Sequence, residues 1–128
     1  MKYSSFKELP IWKEAILLSS IICEITTRRD WKEHFELKKQ MRRAAISISS
    51  NIVEGFENEH TSKFINYLLI SKGSIGEIRN QLIIAEGLGL IRKELLKTVE
   101  TRLTNLSGDI TKFIMYLRKY KEGKSRKQ

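Results

Sequence analysis

The segment FINYLLISKGSIGEIRNQLIIA, residues 64–85, places an apolar or small side chain at every third or fourth position. Because an α-helix has about 3.6 residues per turn, such positions fall on one side of a helix. They are Phe64, Leu68, Ser71, Ile75, Ile78, Leu82 and Ala85. The spacing predicts a helix over residues 61–87, and the glycines Gly87 and Gly89 can end it by adopting the left-handed conformation.

Three other segments have the same periodicity, and the first follows Pro10, a residue that the first turn of a helix tolerates. The four predicted helices span residues 10–28, 34–56, 61–87 and 92–120. The other stripes are Ile11, Ala15, Leu18, Ile22 and Ile25; Leu37, Met41, Ala44, Ile48 and Ile52; and Leu96, Val99, Leu103, Leu106, Ile110, Phe113 and Leu117. Four helices with short connections predict an all-α fold, an antiparallel up-down-up-down four-helix bundle, as a single domain over residues 1–120.

Three glycines carry expectations about packing. Gly73 and Gly76 lie inside the third predicted helix, where glycine costs roughly 1 kcal/mol relative to alanine. A close approach of a neighbouring helix would offset that cost, so we expect one at these positions. Gly55 is expected to end the second helix.

The composition excludes several classes of protein. One cysteine cannot form an internal disulfide or a four-cysteine zinc site, which excludes a disulfide-stabilised secreted mini-protein. No uncharged apolar run reaches the length of a membrane-spanning helix, and the first ten residues lack the apolar core of a secretory signal. We therefore expect a cytoplasmic protein with no membrane association.

The net charge of +9 is distributed unevenly along the chain. Residues 118–128 carry six basic side chains and one acidic side chain, a net charge of +5. We expect residues 121–128 to form a basic, mobile tail. This terminal segment is either a solubilising extension or an arm that binds a polyanion, and both roles are common for basic tails. Its basic residues are Arg118, Lys119, Lys121, Lys124, Arg126 and Lys127.

The second and third predicted helices also carry apolar side chains away from their main stripes. These residues are Ile46, Val53, Leu69, Ile70, Ile83 and Ile84. A helix buried only within its own bundle is expected to be polar on its far side, so these residues predict a protein–protein interface. A symmetric homo-oligomer would repeat the basic charge around one particle and favour a polyanion as partner.

The string QMRRAAISISSNIVEG, residues 40–55, resembles the hallmark of the bacterial four-helix-bundle family encoded in intervening sequences of 23S rRNA genes. The strings FKEL, residues 6–9, and IWKEA, residues 11–15, resemble the start of that family, and residues 64–90 resemble its third helix. Ile75-Gly76 and Val53 depart from the residues that are usual there. The resemblance covers roughly residues 6–117.

What this resemblance implies is a small antiparallel bundle that assembles into a ring-like homo-oligomer, typically a pentamer. The family is also similar to the accessory proteins of diversity-generating retroelements, which bind nucleic acid and a reverse transcriptase. The resemblance therefore implies self-association and makes a nucleic acid or a protein a candidate partner, without settling the biochemical role.

Four basic residues at the start of the second helix form the main candidate site. A spacing of four places Lys38 over Arg42 and Lys39 over Arg43, giving two adjacent basic columns. Guanidinium groups bind phosphate oxygens in pairs, which suits nucleic acid. The alternative is that the arginines form structural ion pairs with carboxylates such as those of Glu54 or Glu77.

The remaining candidates favour structure over chemistry. His34, His60 and Cys23 lack the spacing of a zinc site, so we predict no metal and no cofactor. Trp12 and Trp31 could stack on bases, but packing against the bundle is the favoured interpretation of both, and Trp31 is the more plausible exposed aromatic residue.

The predicted function is therefore that of a non-enzymatic, homo-oligomeric bundle that binds nucleic acid, with RNA favoured, through the basic residues of the second helix and of the terminal segment. The alternative is a protein-interaction scaffold without direct nucleic-acid binding. In that case the basic tail would serve solubility.

Overall fold

The structure, a computed structural model, describes residues 2–127, with side chains described as far as residue 123. The described residues form four α-helices and no strand, which confirms the all-α prediction. Short 3-10 helices at Phe6–Glu8 and Arg29–Glu33 precede the first and second α-helices. The α-helices are α1 (Pro10–Thr27), α2 (Phe35–Phe56), α3 (Thr61–Gly87) and α4 (Lys93–Lys127).

The last helix is longer than the sequence analysis predicts. Its helical backbone continues to Lys127, although the predicted boundary lies at residue 120 and the apolar stripe stops at Leu117. Lysine, arginine and glutamate are good helix formers, which favours helical backbone beyond the buried stripe. The mobility proposed for residues 121–128 stays a prediction.

The core is built from the predicted stripes. All seven stripe residues of α3 are buried, with exposed fractions of at most 3%. In α4 the stripe shifts by one position near its end, because Ile114 is buried while Phe113 is only partly buried. A seven-residue repeat drifts around a helix of 3.6 residues per turn, and this drift accounts for the shift.

The glycine at which α2 and α3 approach each other closely is Gly55, not either of the two glycines inside α3. A Cβ at Gly55 would meet Phe64 Cδ1 at 2.6 Å and Tyr67 Cβ at 3.0 Å, whereas a Cβ at Gly73 or Gly76 would meet nothing within 4 Å. The predicted close approach at Gly73 and Gly76 is therefore wrong within the protomer. Gly55 lies inside α2, which ends one residue later, and its small size admits the Phe64 ring.

Hydrogen bonds fix the register of α2 against its two neighbours. Ser71 Oγ donates to the Ile48 carbonyl oxygen at 2.8 Å, and Ser74 Oγ donates to Ser47 Oγ at 2.9 Å. Ser19 Oγ of α1 donates to the Ala45 carbonyl oxygen at 3.1 Å. These buried and partly buried bonds leave the opposite side of α2 to solvent.

Aromatic side chains fill one end of the bundle. The ring of Phe64 lies 6.1 Å from that of Phe56 and 5.5 Å from that of Phe113, measured between ring centroids. The C-terminal half of α2, the N-terminal half of α3 and the C-terminal half of α4 therefore meet at this end.

Helix α4 is tied to α3 and α1 by two ion pairs. Arg79 Nη2 lies 3.2 Å from Glu100 Oε1, and Arg102 forms a bidentate pair with Glu14. The hydrogen bonds to Glu14 raise the pKa of Arg102 above its ordinary value. Both pairs are partly exposed to solvent, so they orient α4 more than they stabilise the fold.

Candidate nucleic-acid interface

Arg42 is engaged with the end of α1. Its Nε donates to Thr26 Oγ1 at 2.9 Å, and its Nη2 donates to the Cys23 carbonyl oxygen at 3.2 Å and to Thr27 Oγ1 at 3.1 Å. The Cys23 carbonyl oxygen also accepts from Thr26 Oγ1 at 3.2 Å and from Thr27 Oγ1 at 2.6 Å, and a cation at the C-terminal end of a helix interacts favourably with the helix dipole. Arg42 therefore joins α2 to the C-terminal turn of α1, a role that the sequence analysis did not consider.

Lys39 and Arg43 lie one turn apart on the outer side of α2 and are both exposed. Among the residues with described side chains, neither forms an ion pair or a side-chain hydrogen bond. Their charges therefore face solvent without a neutralising carboxylate. Lys38 is partly buried on the same helix.

A shallow groove runs along this side of α2, with a volume of about 380 Å³. Its ends are marked by two exposed apolar side chains, Phe35 at 63% exposure and Ile46 at 56%. We refer to it as the α2 groove, and its lining residues are Phe35, Lys38, Lys39, Arg42, Arg43 and Ile46. The structure thus brings together all four basic residues that the sequence analysis selected on this helix.

Apart from Glu36, which directly follows the lining residue Phe35, the sequence along the α2 groove carries one charge sign. Residues 37–53 contain four basic side chains and no acidic one, and the flanking acids are Glu36 and Glu54. A positive surface of this kind attracts a polyanion.

Phe35 is a lining residue that the sequence analysis missed. It precedes the apolar stripe of α2 and belongs to a different series, since Phe35, Lys39, Arg42 and Ile46 follow spacings of four, three and four on the side away from the core. This spacing, together with the buried stripe on the opposite side of α2, could have identified Phe35 from the sequence.

The terminal basic residues lie elsewhere on the molecule. Arg118, Lys119 and Lys121 are exposed on α4, while the side chains of Lys124, Arg126 and Lys127 lie outside those that the structure describes. The neighbouring Tyr120 lines a cavity with Phe56 and Phe64, at the aromatic end of the bundle.

The distance between the two basic regions follows from the length of α2. Arg42 contacts the C-terminal turn of α1, and Phe56 is fourteen residues further along α2, which at 1.5 Å per residue is about 20 Å. The structure does not bring the two predicted sets of basic residues into one site.

The apolar residues predicted on α3 are exposed. Leu69, Ile70, Ile83 and Ile84 have exposed fractions between 46% and 55%, and Gly73 and Gly76 are exposed between them. We refer to these six residues as the α3 outer face. Val53 is only partly buried on α2, and Ile46, which the sequence analysis assigned to the same interface, lines the α2 groove.

The tryptophans and histidines that the sequence analysis considered do not line the α2 groove. Trp31 is fully buried, and Trp12 packs edge-on against Phe6 with ring centroids 5.3 Å apart. His34 and His60 precede the first residues of α2 and α3. Among the described residues, no group of three or more His, Cys, Asp or Glu side chains could hold a metal ion.

The helices were compared with the requirements of a membrane-spanning segment. Within residues 2–127, none combines the length and the apolar character needed to cross a membrane.

Residues 7–112 match the family model described as the 23S rRNA-intervening sequence protein. The chain belongs to this family. Assignment to the 23S rRNA-intervening sequence protein family confirms the resemblance carried by residues 40–55. The matched region contains the α2 groove and the α3 outer face but ends before the basic residues at the end of α4.

A solved structure from Bacteroides thetaiotaomicron, a protein of unknown function from the S23 ribosomal protein family, has the same fold. It aligns with a TM-score of 0.74 and 20% sequence identity over 81% of this chain and 97% of that chain. At this identity the likeness concerns the fold alone. A search of the curated proteins gave no match.

Proposed function

We propose that this member of the 23S rRNA-intervening sequence protein family acts by binding rather than catalysis. It forms a homo-oligomer that binds nucleic acid, RNA in the first instance, through the α2 groove. The observation that carries the proposal is the pair of exposed cations, Lys39 and Arg43, which have no carboxylate partner among the described side chains.

Phosphate groups are the partner that this pair fits best. Lysine and arginine that neutralise phosphates release counterions, and this release supplies most of the affinity of non-specific nucleic-acid binding. Arginine also binds phosphate oxygens through two parallel hydrogen bonds. The family description refers to 23S rRNA, which makes RNA the first ligand to test.

The proposed assembly is an antiparallel up-down-up-down bundle repeated in a ring, with five copies as the expected number. Contacts between the helices support the topology, because Ser47 pairs with Ser74 and Phe56 with Phe64, so that residue numbers fall along α2 as they rise along α3. The exposed α3 outer face supports self-association. A ring would repeat the α2 groove on one particle and increase the avidity for a long polyanion.

The basic end of α4 is proposed as a second contact. Arg118, Lys119 and Lys121 are exposed there, and Lys124, Arg126 and Lys127 follow in sequence. Since this region lies about 20 Å from Arg42 along the bundle, one ligand would have to extend along the protein to reach both.

The test compares two variants that each lose two positive charges. Fluorescence anisotropy of labelled RNA at low and moderate salt is measured for the wild type, for Lys39→Ala/Arg43→Ala, and for Lys93→Ala/Lys97→Ala as the matched control on α4. We expect the α2 variant to lose at least about tenfold in affinity, the control to match the wild type, and binding to weaken steeply with salt.

Two results would contradict the proposal. Absence of RNA and DNA binding by the wild type at low salt would exclude nucleic acid as the ligand. Equal losses in the two variants would show that only total charge matters and that the α2 groove is not the site. A chain stopped after Leu117 measures the contribution of the α4 end in the same experiment.

A protein-interaction scaffold is the second candidate function, and the α3 outer face favours it. Four exposed apolar side chains on one helix can hold another protein as well as a second copy of this chain. A protomer mass of 15.0 kDa in light scattering, together with no nucleic-acid binding, would favour this alternative.

A further inference from the structure

We infer that the α2 groove is a site for single-stranded nucleic acid, in which an unpaired base stacks on the ring of Phe35 while the adjoining phosphates contact Lys39 and Arg43. The inference rests on the proposed function and specifies it further: the nucleic acid is single-stranded, and one of its bases contacts an aromatic ring.

The exposure of Phe35 is the first observation. At 63% it is the most exposed of the large apolar side chains in the described part of the chain, and none of the aromatic pairs found there includes it. Burying an aromatic ring is favourable, so a ring that the fold leaves in solvent is available to a ligand.

The position of Phe35 is the second observation. Lys39 and Arg43 follow it at successive intervals of four residues, so the ring and the two cations lie on one side of α2 about one turn, or roughly 5–6 Å, apart. Proteins that bind single strands combine these two elements, a basic track for the backbone and an aromatic surface for a base.

The ring of Phe35 favours a single-stranded ligand over a duplex. In a duplex the base faces are stacked on one another, and a side chain reaches them only if the bases separate. A duplex could therefore use the cations of the α2 groove but not Phe35. The two tryptophans do not supply an alternative surface, because Trp31 is buried and Trp12 packs against Phe6.

The test measures anisotropy of labelled oligouridylate, of a duplex RNA of the same length and of oligothymidylate, at low salt. Phe35→Ala should weaken binding of oligouridylate by roughly 5- to 100-fold, the loss typical of one base–aromatic stack, and leave duplex binding unchanged. Phe35→Leu keeps the apolar bulk and should lose most of the same affinity, whereas Phe35→Trp should retain it.

The matched control is Leu17→Ala, which removes an apolar side chain of 54% exposure from α1 and should change nothing. Circular dichroism of each variant checks the fold, which should persist because Phe35 is exposed. Weaker binding of oligothymidylate would identify RNA as the ligand, and equal binding would extend the site to both sugars; both results support the inference.

Three results would overturn it. If Phe35→Ala binds oligouridylate like the wild type while Lys39→Ala/Arg43→Ala does not, the proposed function stands and the stacking role is wrong. If the wild type binds the duplex more tightly than oligouridylate, the α2 groove contacts only the phosphate backbone of the nucleic acid, and no base stacks on Phe35. If polyglutamate binds and no nucleic acid does, the proposed function is itself wrong and the inference fails with it.

Discussion

On the outer side of α2, two exposed cations lie between the apolar side chains of Phe35 and Ile46, whereas the outer face of α3 presents four apolar side chains and two glycines. The two helices are neighbours and both contribute to the same core, α3 with its whole predicted stripe and α2 with all of its stripe except the partly buried Leu37. Their outer sides nevertheless differ in chemistry, because the core does not constrain them.

Because the buried core needs neither outer side, we interpret the chemistry of these two sides as a sign of what each one binds. Isolated apolar side chains are normal on protein surfaces, but four on one helix face with glycines between them suit the close approach of another protein. Cations beside an exposed aromatic ring suit a polyanion with flat bases. The two faces thus predict two different partners.

Substitutions on the α3 outer face should change the assembly of the protein. Ile70→Glu/Ile84→Glu places two carboxylates on the α3 outer face, where burying them against another copy would be unfavourable. We expect light scattering to give the protomer mass of 15.0 kDa for this variant and a multiple of it for the wild type. Circular dichroism should be unchanged, because both side chains are exposed in the protomer.

The matched control for assembly is Leu17→Glu, which introduces a carboxylate at an exposed apolar position of α1. It should leave the mass of the wild type intact. A wild type that is already a 15.0 kDa particle at high concentration would remove the basis for assigning the α3 outer face to self-association.

The next effect concerns the glycines of the two helices. Gly55→Ala should destabilise the protein by about 1–3 kcal/mol, because the added Cβ would lie 2.6 Å from the ring of the buried Phe64. Gly73→Ala should instead stabilise the protomer by up to about 1 kcal/mol, since the new methyl group meets nothing and alanine favours the helix.

Urea denaturation of the two alanine variants provides the measurement. Changes of the same sign would mean that the α2–α3 contact differs from the packing described. A gain for Gly73→Ala accompanied by a lower assembled mass would show that the glycine is retained for the contact between copies and not for the fold.

The helices and their buried stripes could be predicted because the periodicity that defines them is local to each helix. The packing around the glycines could not be predicted, because a close approach depends on how two helices meet. Gly55 contacts Phe64, which lies on the next helix, nine residues later in the sequence. The end of α4 was misplaced for another reason, since helix propensity carries the backbone beyond the last buried residue, Leu117.

The candidate site was predicted in part. The four basic residues of α2 do line one groove, yet the sequence did not separate Arg42 from Arg43, because their difference depends on the end of α1. Phe35 was missed because it lies outside the buried stripe of α2, in the series of residues on the opposite side of the helix. Packing against the bundle was the favoured interpretation of Trp31, and its burial in the core confirms it.

The smallest effect separates these neighbouring arginines. Arg42→Ala removes three hydrogen bonds from a partly buried guanidinium to the last turn of α1 and should cost about 1–2 kcal/mol of stability in urea denaturation. Arg43→Ala, at an exposed position, should change stability by less than about 0.5 kcal/mol. RNA affinity should respond in the opposite order, because Arg43 is free to contact phosphate while Arg42 is held by α1. A larger loss of affinity for Arg42→Ala than for Arg43→Ala would instead mean that the packing of α2 against α1, and not the exposed charge of Arg43, controls RNA binding.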